Sequence, residues 1–533
     1  MSEVNHRETA TEAPSLDMAV FIPSGCVVLL AGISLVAFPQ QAGEIAAYWM
    51  SAVTTNFGWL FSLVAFVTLI FCAWLAFGRY GQVKLGQPED KPEFSELSWA
   101  AMMFSAGIGI GLVSWAFVEP VIYLQEPPFA LSPGSNESAE WAHMYTMFHW
   151  GIVPWAFYAL PTIPIAYMLY VKRSPFLRIS NSINGALPEP HHRKWDPVID
   201  TLVIIGIVGG AGTSLGLGVP LVSAFFGELF GLQDGFGLQI LVLTFWTLIF
   251  ATSVYRGLNS GLRLLADTNI LLAIVVLGFI LFVGPTVLIL TMTANSFGML
   301  LDNFFRMSFW LDPINQGDFP RDWTLFYWAW WIAYAPLMGL FFGRISRGRT
   351  IKQTVLGVIG WGSTGCVLFM AVCGGYALHL ELNGILPVSD IIRESGNPAA
   401  VVAIVSTLPG STIAIAVFTI LSFIFLATTL DSVAYVLAGI TTKNLPGDQE
   451  PDRIYRLIWA FFLAFIAVGL LVVGGLTTVQ SSSVVTSLPL IPVFFLLAVS
   501  IFKWLKSDFG SLVERPILSV RINEDENTEI VKE

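Results

Sequence analysis

Long apolar runs recur along the whole chain and restrict its fold more than any other feature. About twelve of them approach or exceed the roughly 20 residues that an α-helix needs to cross a bilayer. The chain is therefore predicted to be an all-α polytopic membrane protein with about twelve transmembrane helices. We place the spans near residues 18–38, 57–77, 99–124, 142–171, 198–226, 236–254, 264–292, 322–343, 353–378, 401–440, 456–476 and 485–505.

Composition supports a membrane protein and argues against other classes. Only 12% of the residues are charged, whereas soluble domains carry about 25%. The sequence has no basic stripe or arm that would indicate nucleic-acid binding. It also has no metal-ligand spacing, phosphate-binding loop or nucleophile with a base that would indicate an enzyme. The polar stretch at residues 1–17 lacks the features of a cleaved signal peptide.

Positive charge predicts the orientation of the chain. Loop Lys and Arg residues follow the even-numbered spans, and only Arg306, Arg321 and Arg393 fall on the other side. Both termini are therefore expected on the cytoplasmic side of the cell membrane, in agreement with an even number of spans. The predicted parts are a cytoplasmic amino-terminal tail, a membrane domain and a short acidic cytoplasmic tail, at residues 1–17, 18–507 and 508–533.

The eighth span is unusually rich in aromatic residues. Such a helix face suits a cation that cannot donate a strong hydrogen bond, for example a quaternary ammonium. Interfacial belts and ordinary packing are the alternative, but the run extends about 17 Å at 1.5 Å per residue, well past one interface. At about 100° per residue, the shared face comprises Trp323, Tyr327, Trp330, Tyr334 and Met338, with Trp331 at its border.

The fourth span offers a second set of rings. Pro154 is expected to kink this helix, and Gly151 leaves room beside the kink. His149 is interpreted as a hydrogen-bonded packing residue. The rings expected to face the eighth span and to complete an aromatic cage are Trp150, Trp155 and Tyr158.

The third span contains three alternate glycines, at Gly107, Gly109 and Gly111. They predict either close packing of helices or a broken helix whose backbone carbonyls bind a cation or substrate. Glu119, an acid near the outer boundary of the same span, could be structural.

The tenth span carries polar side chains within an apolar run. Thr428 and Thr429 either bond back to their own helix or present two hard hydroxyl oxygens suited to sodium. Asp431 is a functional candidate because ionisable residues within spans are rare. Asp267, near the cytoplasmic end of the seventh span, is a second candidate.

Several motifs together resemble the betaine/choline/carnitine transporter (BCCT) family. The resemblance covers residues 18–507 in chain order. The matching segments are Trp328-Ala-Trp330-Trp331 followed by Arg344-Ile-Ser-Arg347-Gly-Arg349, Gly107-Ile-Gly-Ile-Gly111, Met147-Phe-His-Trp150 with Pro154-Trp155, and Ser214-Leu-Gly-Leu-Gly218.

The resemblance implies a leucine-transporter-like architecture. Spans 3–7 and 8–12 would form a 5+5 inverted repeat that follows two N-terminal helices. It also implies a homotrimer in the lipid bilayer. The outer loop at residues 298–322 is interpreted as an amphipathic surface helix, and its part near residues 299–308 would help assembly.

The resemblance also assigns a substrate site. The implied substrate carries a quaternary ammonium or related onium group, usually with a carboxylate, as in glycine betaine, carnitine, choline or dimethylsulfoniopropionate. Tyr334 matches a gating aromatic residue, and Trp115 is expected to line the site from the third span. The positions of the family's aromatic box match Trp150, Trp155, Tyr158 and Trp331, with Trp330 beside them, and the shared face adds Trp323 and Met338.

Sodium coupling is expected at one site between spans 3 and 10. Asn269 favours the ion, because the sodium-independent carnitine exchanger has an arginine there. A second family site lacks its hydroxyls at Ile207 and Ala211, and Met338 stands where that exchanger has a methionine in place of sodium. The expected ligands are the main chain of Ser105, Ile108 and Phe425 and the side chains of Thr428 and Thr429.

The sequence therefore predicts a secondary active transporter that imports an onium zwitterion with sodium and needs no bound cofactor. Sodium-independent exchange of carnitine-like substrates is the alternative within this class. A non-transporting receptor or channel is the alternative from another class, although a receptor is expected to carry a signalling domain. The acidic tail lacks the basic character of osmosensing relatives, so little tail-based osmotic activation is expected.

Overall fold

A computed structural model describes residues 14–107, 109–174, 176, 178–187, 191–256, 259–446, 449–510, 518–522 and 528–532. Its helices in the first half of the chain are α1 (Met18–Ala37), α2 (Pro39–Phe77), α3 (Glu96–Gly107), α4 (Ile110–Gln125), α5 (Asn136–His149), α6 (Ile152–Tyr170), α7 (Ile179–Ser182), α8 (His191–Phe230), α9 (Phe236–Arg256), α10 (Asn259–Val283) and α11 (Thr286–Phe309). Those in the second half are α12 (Phe326–Ile345), α13 (Ile351–Phe369), α14 (Gly375–Leu382), α15 (Val388–Ser406), α16 (Ser411–Ile440), α17 (Arg453–Val473), α18 (Leu476–Ser487) and α19 (Leu490–Phe509). A 3₁₀ turn lies at Pro128–Ala130, and π-helical turns lie at Pro320–Leu325 and Met370–Gly374.

The helices confirm an all-α polytopic membrane protein. Within the described ranges, ten helical segments are long and apolar enough to cross a membrane. Shorter apolar helices lie at Ile110–Gln125, Phe236–Thr252 and Thr268–Val283. Helix occupies part of every predicted span, while the count of twelve crossings and the inverted repeat stay predictions.

Two predicted spans are broken near their middle. In the third span, Gly109 has an extended backbone (φ −105°, ψ −179°) and caps α4, while Ile108 lies outside the described residues. In the fourth span, Trp150 and Gly151 separate α5 from α6. The break therefore precedes Pro154, which lies in the first turn of α6, where a missing N–H costs little.

Two other predicted spans end at different places from those expected. Pro285 precedes α11 and separates it from α10, so residues 286–292 belong to α11 rather than to the seventh span. Of the surface helix predicted at residues 298–322, residues 298–309 are the end of this longer helix, and the prediction was wrong for the non-helical stretch that follows Phe309. Gly410 adopts a left-handed conformation with φ of 67° and divides the tenth run between α15 and α16.

The core of the bundle lies between α4, α6, α8, α12 and α16. α12 packs against both α6 and α8, and α16 packs against α8 and α4. Large side chains such as Trp155, Tyr327 and Trp328 are fully buried there. α1 and α2 lie at the periphery, against α17 and α18 respectively.

The amino-terminal segment is tied to the end of α16. Strand β1 (Ser15–Leu16) pairs antiparallel with β2 (Thr442–Lys443), which directly follows that helix. Arg178 lies 2.9 Å from Asp17 and 3.5 Å from Asp200, and both carboxylates are buried. Through Arg178, this segment is therefore connected to the first third of α8 as well as to the end of α16.

A second hairpin lies in the carboxyl-terminal tail. It consists of β3 (Leu518–Ile522) and β4 (Thr528–Lys532). The rest of the tail beyond Gly510, like residues 1–13 of the amino-terminal tail, lies outside the described residues.

Candidate substrate-binding site

The wide turn before α12 divides its aromatic residues into two groups. In the π-helical turn at Pro320–Leu325 the hydrogen bonds span one residue more than in an α-helix, so each turn takes more than about 3.6 residues. Trp330, Tyr334 and Met338 line a common cavity, so the expected face is present from Trp330 onwards. Trp323, in this turn, and Tyr327, in the first turn of α12, do not line the cavity, although both belong to the predicted face.

Four rings surround one corner of this cavity. The centroid of Trp331 lies 4.6 Å from that of Tyr158, 5.6 Å from Trp155 and 5.8 Å from Trp150. Trp150, Tyr158 and Trp331 line the cavity, whereas Trp155 packs behind them. The structure thus brings together the four residues predicted for the aromatic cage.

Contacts from α4 and α8 hold the neighbouring rings of α12. Trp330 donates its indole N–H to the carbonyl of Gly210 at 3.3 Å. The hydroxyls of Tyr334 and Ser214 lie 2.7 Å apart. A β-carbon on Gly111 would stand 2.6 Å from the ring of Trp330, so this glycine of the third-span motif makes room for that ring.

The cavity has a volume of about 480 Å³, which is typical of sites for small organic ligands. It extends from the cage along α12 and α16 to Arg344 and Tyr435, whose side chains are hydrogen-bonded at 3.3 Å. α16 contributes Thr428, Thr429 and Asp431 to the wall. Among the described lining residues, Asp431 is the only carboxylate.

Packed aromatic rings close the opposite end. Trp115 lies edge-on to Trp323 with centroids 5.4 Å apart, and Tyr123 meets the same ring at 4.9 Å. Phe319 packs on Tyr123, also at 4.9 Å. Trp115 and Trp323, which we predicted for the site, lie in this closed layer and do not line the cavity.

The break in the third span faces the threonine pair of α16. A β-carbon on Gly109 would lie 3.6 Å from the hydroxyl oxygen of Thr429, which is ordinary contact. Thr429 donates to the carbonyl of Phe425 at 2.8 Å, and Thr428 lies 3.0 Å from the carbonyl of Ile424 and 3.2 Å from that of Phe425, so both hydroxyl protons point back along their own helix. Of the other predicted sodium ligands, Ser105 lies in α3 and Ile108 lies outside the described residues.

A buried acid lies behind the cage, at a position that the sequence pattern alone led us to treat as structural. Glu119 in α4 is fully buried and accepts hydrogen bonds from the indole of Trp150 at 3.0 Å and from the hydroxyl of Tyr327. His149 lies 3.6 Å from its other oxygen and is hydrogen-bonded to Thr324. An ionisable residue within an apolar span is a functional candidate by default, so the signal was present in the sequence.

The arginines that follow α12 form ion pairs near the mouth of the cavity, which is the end lined by Arg344 and Tyr435. Arg347 pairs with Asp90 at 3.0 Å, and Arg349 pairs with Glu96 at 2.6 Å. The backbone N–H of Gln87 and the guanidinium of Arg347 hold the pKa of Asp90 below its ordinary value. These contacts tie the end of α12 to α3 and the loop before it.

A bundle of membrane-length helices around an aromatic cavity with one open end has the architecture of a membrane transporter. A profile described as "BCCT, betaine/carnitine/choline family transporter" matches residues 19–510. The uncharacterized transporter YeaV of Escherichia coli (strain K12) is 34% identical over 443 residues, which are 82% of this chain and 91% of that relative. The chain belongs to the betaine/carnitine/choline transporter family, which confirms the resemblance found in its motifs.

Proposed function

We propose that this transporter imports, by alternating access, a compound that carries a quaternary ammonium or related onium group. The proposal is carried by the rings of Trp150, Tyr158 and Trp331, which meet at the deep end of the cavity. A trimethylammonium group spreads its charge over its methyl groups and is poorly hydrated. Ring faces can therefore hold it, at about 0.5–2 kcal/mol per contact.

The start of α4 offers a place for a substrate carboxylate. Gly109, Gly111 and Leu112 line the cavity on this side. The first N–H groups of a helix have no acceptor within the helix and lie at the positive end of its dipole. A zwitterion with its onium group in the cage and its carboxylate here brings no net charge into the protein. Glycine betaine and carnitine have this form, as does dimethylsulfoniopropionate, while choline would use the cage alone.

Sodium is the proposed coupling ion, at the contact between the third-span break and α16. The hydroxyl oxygens of Thr428 and Thr429 lie at this contact, and broken membrane helices offer backbone carbonyls that coordinate sodium. An ion bound here would hold α3 and α4 against α16 beside the cavity. By linkage, the ion and the substrate would then raise each other's affinity.

Sodium-independent exchange is the second candidate, and Met338 favours it. Met338 lines the cavity one helical turn from Tyr334. Its thioether is polarizable and adaptable, and needs no ion beside it. The carbonyl of Phe425 already accepts the hydroxyl of Thr429 at 2.8 Å, which leaves less of its capacity for an ion.

We propose that the mouth of the cavity faces the cytoplasm and that the chain forms homotrimers in the cell membrane. The mouth lies at the end of α12, where Arg344, Arg347 and Arg349 follow each other, and positive charge marks the cytoplasmic side.

α11 exposes Leu301 at 81% and Phe305 at 67%, and this apolar face is the proposed contact between subunits. Cross-linking of the protein in membranes, with cysteines placed along α11, tests the trimer.

Uptake into proteoliposomes tests the proposed transport. Radiolabelled glycine betaine, carnitine, choline and dimethylsulfoniopropionate would each be offered with and without an inward sodium gradient. Accumulation that requires the gradient is the expected result. Uptake that ignores sodium but requires substrate inside the vesicles would establish exchange instead. Absence of uptake for all four compounds, with binding intact, would support a receptor and contradict transport.

A further inference from the structure

Glu119 places a carboxylate directly behind one wall of the aromatic cage. Its side chain is fully buried, and its Oε2 accepts the indole N–H of Trp150 at 3.0 Å and the hydroxyl of Tyr327 at 2.5 Å. An O–H···O bond of this length is typical of a charge-assisted bond to a carboxylate. The other side of Trp150 meets Trp330 and Trp331 and borders the cavity.

The two carboxylate oxygens of Glu119 have different surroundings. Its Oε1 has no hydrogen-bond partner among the described residues and lies 3.6 Å from Nδ1 of His149. The same Nδ1 is 2.9 Å from the hydroxyl of Tyr123, and Nε2 is 3.0 Å from that of Thr324. A neutral imidazole leaves a full negative charge behind Trp150. A protonated one leaves a dipole whose negative end faces Trp150.

From this geometry we infer that Glu119 is a positioning residue that gives the cage its preference for positive charge, acting through Trp150. A carboxylate that accepts the indole N–H orients the ring and pushes electron density into it. The ring face then attracts a cation more strongly. The onium group would contact the rings of the cage and would form no direct ion pair with Glu119. This inference rests on the proposed function of the cage.

An effect of the Glu119 charge and a purely structural effect of this residue predict different changes in affinity. Removal of the charge should weaken binding of a cation but not of a neutral molecule of the same shape. Choline and its carbon isostere 3,3-dimethylbutan-1-ol form such a pair, because they differ only in the nitrogen that carries the charge. Glu119→Gln keeps the size and an acceptor oxygen for Trp150, and removes only the charge.

Competition of both compounds with radiolabelled glycine betaine, on the purified full-length protein, measures the two affinities. For Glu119→Gln we expect the affinity for choline to fall about fivefold to tenfold, with little change for the alcohol. Equal losses for both compounds, or none, would overturn the inference. Glu126→Gln, an exposed acid directly after α4, is the matched control and should change neither affinity.

A second variant keeps the test decisive if Glu119→Gln does not fold. Glu119→Asp keeps the carboxylate but withdraws it by one methylene from the indole N–H of Trp150, so the preference for choline over the alcohol should fall. An unchanged or higher preference would contradict the inference. A wild-type protein that binds no onium compound at all would instead contradict the proposed function.

Discussion

Gly362 on α13 lies directly against the indole ring of Trp155 on α6 and leaves no room for a β-carbon. Trp155 in turn supports Trp331 and Tyr158 from behind, at 5.6 and 5.5 Å between ring centroids. The shape of the cage therefore depends on a residue that never reaches the cavity.

The first prediction concerns this contact. Gly362→Ala should push Trp155 toward the cage, because the added β-carbon would overlap its ring. Overpacking of a core typically costs about 1–3 kcal/mol. We expect a lower affinity for onium compounds together with a lower unfolding temperature, measured by binding and thermal unfolding in detergent. Gly360→Ala on the same helix is the control, since a β-carbon there meets no atom within 4 Å. Similar behaviour of the two variants would show that the contact is unimportant.

The second prediction concerns the central ring of the cage. Trp331→Leu should lower substrate affinity roughly fivefold to thirtyfold, because it removes one ring face worth about 1–2 kcal/mol. Equilibrium binding measures the loss. Trp59→Leu, at a ring that is 57% exposed on α2, serves as the control and should bind normally. Unchanged binding by Trp331→Leu would remove the cage from the proposed function.

The third prediction concerns the coupling ion. Thr428→Ala combined with Thr429→Ala should abolish the sodium dependence of uptake, because both hydroxyl oxygens at the third-span break disappear. Uptake measured against sodium concentration decides this. Thr419→Ala is the matched control: its hydroxyl also bonds back to its own helix, at 2.7 Å to Ile415, but it does not line the cavity. Uptake by the double variant that still needs sodium would place the ion elsewhere.

The fourth prediction concerns the ion pairs at the end of α8. Arg178→Gln removes the cation that the buried carboxylates of Asp17 and Asp200 share and leaves only Lys443, 3.7 Å from Asp17, so it should lower the free energy of unfolding by about 3 kcal/mol. Thermal and denaturant unfolding measure this change. Arg393→Gln breaks a pair with Asp390 in which both side chains are more than half exposed, so it should cost less than about 1 kcal/mol. Equal losses of stability in the two variants would mean that burial does not strengthen the ion pairs of Arg178.

Much of the cage could be predicted from sequence because it depends on short-range order. Trp330, Tyr334 and Met338 follow the helical period, so they share a face once α12 forms. Their partners Trp150, Trp155 and Tyr158 were expected from the aromatic content of the fourth span and matched by the family motif, whereas periodicity alone does not encode which neighbour a helix face will meet. The all-α membrane fold likewise followed from the length and hydropathy of the apolar runs.

The parts that escaped prediction depend on local departures from regular helix. Trp323 lies in the π-helical turn at Pro320–Leu325 and in the closed layer, and no residue pattern predicts such a turn. Pro285 stopped α10 earlier than hydropathy suggested. Glu119 was undervalued because its partners, Trp150 and Tyr327, come from separate helices and meet it only in three dimensions.

The pairing of β1 with β2 has a practical consequence for topology measurements. β2 begins within two residues of the end of α16, whose Tyr435 and Val436 form part of the cavity mouth. The segment around Ser15 and the mouth must therefore lie on the same side of the membrane. A single fluorophore attached at the amino terminus would report, by its access to an impermeant quencher, which way each molecule points in a reconstituted vesicle.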